Sequence, residues 1–134
     1  MQFTPTEACG GGVGSFETGN VAPLMHQVRH ALQAMLDEGT ETVIDLRAIP
    51  LAPGEEERLN ELLGCGEVRI AINALGPSEI IETSYPGVWL STHRNHAGEV
   101  IGRYIEVCPF PALAGAQLSD IRAGLQALSA RLES

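Results

Sequence analysis

His26 and His30 stand four residues apart, a spacing that on a helix puts both imidazoles on one face, where they can share a metal ion. The segment between them is Gln27-Val28-Arg29, so the glutamate of H-E-x-x-H is missing and an arginine neighbours the would-be cation. Two histidines on the polar edge of a helix are the plainer reading. His93 and His96 flank a turn and, with Cys65 or Cys108, would imitate a Cys/His nucleophilic site, but no oxyanion-hole glycine pattern or orienting carboxylate accompanies them. Asp45 and Arg47 follow a short apolar run, where a local salt bridge or a loop cap is the simple role. Tyr85-Pro86-Gly87-Val88-Trp89 sets two aromatics beside a rigid turn in a chain with only 4% aromatics, so the pair serves either as a binding anchor or, for Trp89, as core. No catalytic set emerges, and the expectation is a non-enzyme without a cofactor.

The elements that must position these residues are legible from periodicity and turn chemistry. Met1 to Gly19 is rich in glycine and has neither helical nor strand period, which predicts a flexible arm ahead of a single domain over 20–134. Asn20 and Gly39 bracket a helix whose apolar stripe is Val21, Leu24, Val28, Leu32, Met35 and Leu36. Glu41 to Leu46 reads as a strand. Pro53 and the acidic run Glu55 to Glu57 then open a second helix, negative charge being favoured at a helix start, with Leu59, Leu62 and Leu63 as its buried face.

Gly66 to Val107 is rich in β-branched and aromatic residues and is broken at Gly76-Pro77, Pro86-Gly87 and Asn95 to Gly98. It predicts strands over Val68 to Ala74, Glu79 to Ser84, Val88 to Arg94 and Glu99 to Cys108. In the last hairpin a type I turn with Gly98 as bulge residue sets Trp89 opposite Ile105, with Trp89, Ile101, Ile105 and Val107 on one face. A two-residue turn would pair Trp89 with Tyr104 instead. After Pro109 and Pro111, Leu118, Ile121, Leu125, Leu128 and Leu132 alternate three and four apart, either as a coiled-coil seam or as a face docked on the sheet. The predicted fold is α+β, order αβαββββα, a mostly antiparallel sheet of about five strands with helices on one face.

Composition bounds the partners. The 134 residues, 44% hydrophobic and 19% charged, fit one globular domain. Seventeen acidic against eight basic residues give a net charge of −9, which opposes binding to nucleic acid or an anionic membrane and suits a basic partner. No run approaches the ~18 apolar residues a membrane span needs, and no secretory pattern opens the chain, so the expected location is cytoplasmic. Cys9, Cys65 and Cys108, an odd number without a C-x-x-C pair, argue against a disulfide framework, a zinc finger or a thioredoxin-type centre and predict reduced thiols.

The stretches NVAPLMHQVRHALQAMLDEG (20–39), ETVIDLRAIPLAPG (41–54), LGCGE (63–67), ALGPSE (74–79) and YPGVWLSTHRNHAGEV (85–100) resemble, in that order, the C-terminal conserved region of the hydrogenase expression/formation family HupH/HyaF. The resemblance implies an accessory protein, a chaperone, for maturation of membrane-bound NiFe uptake hydrogenases. Its partner would be the iron–sulfur small-subunit precursor, which carries a basic twin-arginine signal, and a thioredoxin-like accessory protein would act alongside. Gly76, Pro77, Pro86, Gly87, Trp89, His93 and Asn95 match the family pattern, and Tyr85, Trp89, His93 and Asn95 are the expected partner-binding set. Carriage of nickel or iron by His26, His30, His93 or His96 with Cys65 or Cys108 is the alternative.

Overall fold

The computed structural model describes residues 18–74 and 76–134; the predicted arm falls outside them except for Thr18 and Gly19. Helix α1 (Val21–Glu38) leads to β1 (Thr42–Asp45), a 3-10 turn (Leu46–Ala48) and α2 (Pro53–Leu63). Strands β2 (Arg69–Asn73), β3 (Pro77–Glu82), β4 (Val88–Arg94) and β5 (Val100–Val107) follow as a meander, and α3 (Leu118–Glu133) closes the chain. All strand pairs are antiparallel, in the order β1-β5-β4-β3-β2, so β1 returns beside β5 and the sheet edges are β1 and β2. The α+β prediction and its element order hold.

One face of the sheet carries the core. Val88 and Leu90 of β4, Ile105 and Val107 of β5 and Ile44 of β1 pack under Leu24, Val28 and Ala31 of α1 and Leu59 and Leu63 of α2. A smaller cluster of Ile80, Trp89 and Cys108, flanked by Ile70 and Ile72, lies on the opposite face. Gly39 ends α1 at φ +73°, as its C-terminal position predicts. Asn20 makes no side-chain cap; its amide instead donates to the Pro50 carbonyl at 2.7 Å, tying the start of α1 to the loop before α2.

Several expectations need correction. The Asn95 to Gly98 turn forms as a type I turn, with Gly98 N–H donating to Asn95 O at 3.0 Å and Gly98 at φ +84°, but a bulge between His93 and Arg94 then shifts the register by one. Trp89 therefore faces Glu106, and Leu90 takes the place opposite Ile105. Because strand side chains alternate, that shift sends Trp89 to the face away from the helices and leaves Val88 and Leu90 in the main core. Helix α3 does not dock on the sheet: no residue of it is buried. Leu36 and Leu62 are also outside the core, at 79% and 45% exposure. Finally, the expectation of reduced thiols holds for Cys108, a free buried thiol, but not for Cys65, which is disulfide-bonded.

Glycine 87 fixes the turn between β3 and β4. Val88 N–H donates to Tyr85 O at 2.9 Å with Gly87 at φ +91°, and Pro86 before it supplies the fixed φ of a type II turn. A Cβ at Gly87 would also stand 3.2 Å from Met35 Cε. Gly87→Ala is expected to lower stability by about 1–2 kcal/mol, read as a fall of roughly 5–10 °C in melting temperature.

Candidate functional site

The sequence-predicted residues divide by face. Trp89 is 3% exposed, its indole N–H donates to Cys108 O at 3.0 Å, and its ring meets Phe110 edge-on at 6.0 Å. Asn95 holds the hairpin turn together: its Oδ1 accepts from the N–H groups of Ala97 and Glu99 at 2.9 and 3.0 Å, and its Nδ2 donates to Glu99 Oε1 at 2.9 Å. His93 sits half-buried on the face away from the helices, with Nδ1 2.9 Å from Ser78 Oγ and its ring 5.8 Å from that of Tyr104. Ser78 is the cross-strand neighbour of His93, so the pair is first of all a rung of the sheet. Only Tyr85, 45% exposed, presents a large surface.

The nucleophile reading fails on geometry. Cys108 follows the far end of β5, beyond the Val88–Val107 pair, while His93 faces Gly102. Burial, reinforced by the charges of Glu106 and Glu41, pushes the Cys108 thiol up to about 11, which keeps it protonated at neutral pH. Asp45 caps the 3-10 turn by accepting from Arg47 N–H at 2.9 Å, a local role. His26 and His30 both lie on the exposed side of α1, and among the described residues no three His, Cys, Asp or Glu side chains converge as metal ligands.

Two concavities stand out among the described residues. A polar one of about 420 Å³ opens on the helix-bearing face beyond α2, where Arg103 pairs with Glu56 at 2.8 Å and Arg47 and Arg94 donate to the carbonyls of Val100 and Gly98. The other, about 480 Å³ and mostly apolar, is an open groove along α1, lined also by Leu62 of α2 and by Tyr85. Ala22, Met25, Val28 and Leu32 form its α1 wall and Leu62 its α2 wall, with His26 and Arg29 on the rim. The spacing of α1 explains it: the inner stripe Val21, Leu24, Val28 and Ala31 fills the core, leaving a second apolar stripe one position on. Reading the two α1 stripes as one overlooked Met25, and taking Leu62 with Leu59 and Leu63 as the buried face of α2 assigned it to the core although it is 45% exposed. The groove is large enough for a ligand or one side of a helix, and Met25 and Tyr85 supply an adaptable and a rigid contact.

The chain matches the family described as HupH hydrogenase expression protein, C-terminal conserved region, over residues 18–134. It belongs to that family. All three helices and the whole sheet of this HupH-type domain lie inside the matched segment. It is 36% identical over 90 residues to the hydrogenase expression/formation protein HoxQ of Azotobacter vinelandii, covering 67% of this chain and 31% of that protein. It is also 26% identical over 103 residues to the hydrogenase expression/formation protein HupH of Rhizobium leguminosarum bv. viciae, covering 77% and 36%. The solved structure of hydrogenase expression protein HupH from Thiobacillus denitrificans superposes with a TM-score of 0.84 at 39% identity, covering 88% of this chain and 98% of that one. The chain thus spans about a third of the length of the curated relatives it matches. Among the described residues no helix is long and apolar enough to cross a membrane.

Proposed function

We propose that this HupH-type domain is a binding module of hydrogenase maturation, which holds an apolar helical segment of the small-subunit precursor in the α1–α2 groove. The observation that carries the reading is the groove itself: an open, mostly apolar concavity along α1 with Leu62 of α2 and Tyr85 at its side, in a chain whose relatives are hydrogenase expression/formation proteins; an apolar or amphipathic helix is the kind of segment such a surface takes. A twin-arginine signal joins basic residues to an apolar stretch. The apolar stretch suits the groove, and the basic residues suit a body of net charge −9. Of the expected contact set, Tyr85 lines the groove, whereas Trp89 and Asn95 act from inside by holding the sheet and its hairpin. A thioredoxin-like accessory protein working alongside would engage a surface away from the groove, and the half-buried His93 lies on the opposite face.

The test is capture of separately expressed small subunit, with and without its twin-arginine signal, by this chain as bait, with metal analysis of the bait. Signal-dependent capture that weakens with added salt is expected, because exposed charge attraction is screened. Leu62→Asp and Tyr85→Ala should each reduce affinity on the order of tenfold or more, the cost of losing a central apolar contact. Equal capture without the signal overturns the groove assignment. Stoichiometric nickel or iron without capture would promote metal delivery, with His26 and His30 as the first ligands to replace.

A further inference from the structure

All eight basic residues of the chain are arginines, against seventeen acids, so each guanidinium has carboxylates to spare as partners. The polar concavity of about 420 Å³ gathers three of the eight: Arg47, Arg94 and Arg103. Two carboxylates also line it, and both are already held, Glu56 by Arg103 at 2.8 Å and Glu79 by Arg69 at 2.7 Å. Arg47 and Arg94 differ. Their Nη1 groups donate to the carbonyls of Val100 and Gly98 at 3.0 and 2.9 Å, and among the described residues neither pairs with a carboxylate. A single carbonyl bond fixes where a guanidinium lies without neutralising it, and it uses only one N–H of the fork. The register of the sheet brings the two together. Thr92 of β4 lies between Glu79 of β3 and Arg103 of β5, a row whose charges are paired. Past the bulge between His93 and Arg94, Arg94 faces Val100, whose carbonyl Arg47 holds. Both unneutralised guanidinium groups are thus tied to Gly98–Val100 at one end of the concavity, and the buried cross-strand pair Ile81 and Leu90 lines it further along.

We infer that this end of the concavity is a carboxylate-binding site, in which Arg47 and Arg94 together take the oxygens of one carboxylate monoanion. The planar fork of an arginine matches a carboxylate and a phosphate alike. Surrounding charge separates the two. Glu56 and Glu79 line the same concavity and the chain carries −9, so a dianion meets twice the repulsion of a monoanion. The carbon skeleton behind the carboxylate has apolar surface to lie on at Ile81 and Leu90, and the volume falls within the ~300–1,000 Å³ of small-ligand pockets. Both arginines are exposed, so water screens the attraction and a small probe acid should bind with a dissociation constant on the order of millimolar. The site shares no lining residue with the α1 groove and stands whatever that groove holds.

NMR of the full chain, reading backbone amides and arginine Nε–Hε groups during titration with butyrate at low salt, tests the site. Saturating shifts at Arg47, Arg94 and Val100 are expected, weakened by added salt, with none from the neutral isostere butyramide. Arg47→Gln and Arg94→Gln should each weaken butyrate binding about tenfold, and Arg94→Lys, which keeps the charge but not the fork, by less. Shifts that never saturate, an equal response to butyramide, or binding untouched by both glutamine variants each overturn the site. Wild type alone supplies the first two results, so a variant that fails to fold does not shelter it. Inorganic phosphate saturating at lower concentration than butyrate overturns the choice of a monoanion. Acetylated triglycine, with its C-terminus free or amidated, separates the two sources of carboxylate. Tighter binding than butyrate, lost on amidation, supports the site as one for a chain end, and binding no tighter than butyrate supports it as one for small-molecule acids.

Discussion

Trp89→Ala is expected to cost about 3–5 kcal/mol, the range for deleting a large buried aromatic, which leaves little of the 5–15 kcal/mol that holds a domain of this size. The indole is 3% exposed and is the centre of the cluster on the face away from the helices, packed with Ile80 and Cys108 and against Phe110. Trp89→Phe separates its two contributions. The ring volume is mostly kept, but the Cys108 carbonyl loses the N–H that donates at 3.0 Å, for about 1–2 kcal/mol. Urea unfolding should show a lower midpoint with an unchanged slope for both variants. Because the side chain is buried, folded Trp89→Phe is expected to capture a partner as well as wild type does. A loss of capture at wild-type stability would instead make Trp89 a contact residue.

What could be read in advance follows from how local the determining interaction is. The Gly39 end of α1, the turn at Gly87 and the type I turn at Asn95 depend on residues within four positions, and each forms as its chemistry predicts, whereas Asn20 bonds the distant Pro50 carbonyl instead of capping α1. The order of strands and helices was legible for the same reason. The face of Trp89 was not, because a bulge between His93 and Arg94 depends on how β4 and β5 accommodate each other along their length. Periodicity also shows that a stripe must be covered without showing by what: in α1 two adjacent stripes read as one, and in α3 the seam reads as docked although no α3 residue is buried among the described residues. The groove was therefore invisible as a site, although Tyr85 was singled out for its aromatic surface.

Glu55 presents the reverse case, a residue assigned to helix electrostatics that proves to be a clamp. Its Oε1 accepts from Thr18 N–H at 2.8 Å, Thr18 hydroxyl at 2.7 Å and Ala52 N–H at 3.0 Å, and its Oε2 accepts from Gly19 N–H at 3.0 Å. Burial alone would raise the carboxyl pKa, but these four donors outweigh it and hold it down at about 2, from an ordinary 4.5. A carboxylate whose folded pKa is depressed contributes stability that is fully present above the unfolded value and is lost as pH falls through the folded one. The contribution of Glu55 should therefore be complete at neutral pH and decline from about pH 4.5 toward pH 2. Glu55→Gln keeps the shape but turns an amide NH₂ toward a set of groups that are all donors, so one N–H is left facing another in a buried site. The expected result is a melting temperature lower by about 10 °C at pH 7. The gap between wild type and variant should narrow as pH falls, because protonation of Glu55 makes the same change that the substitution made. Melting curves of both proteins at successive pH values read it directly, and a gap constant down to pH 2 would mean that the carboxylate's charge contributes nothing to holding Thr18 and Gly19 against α2.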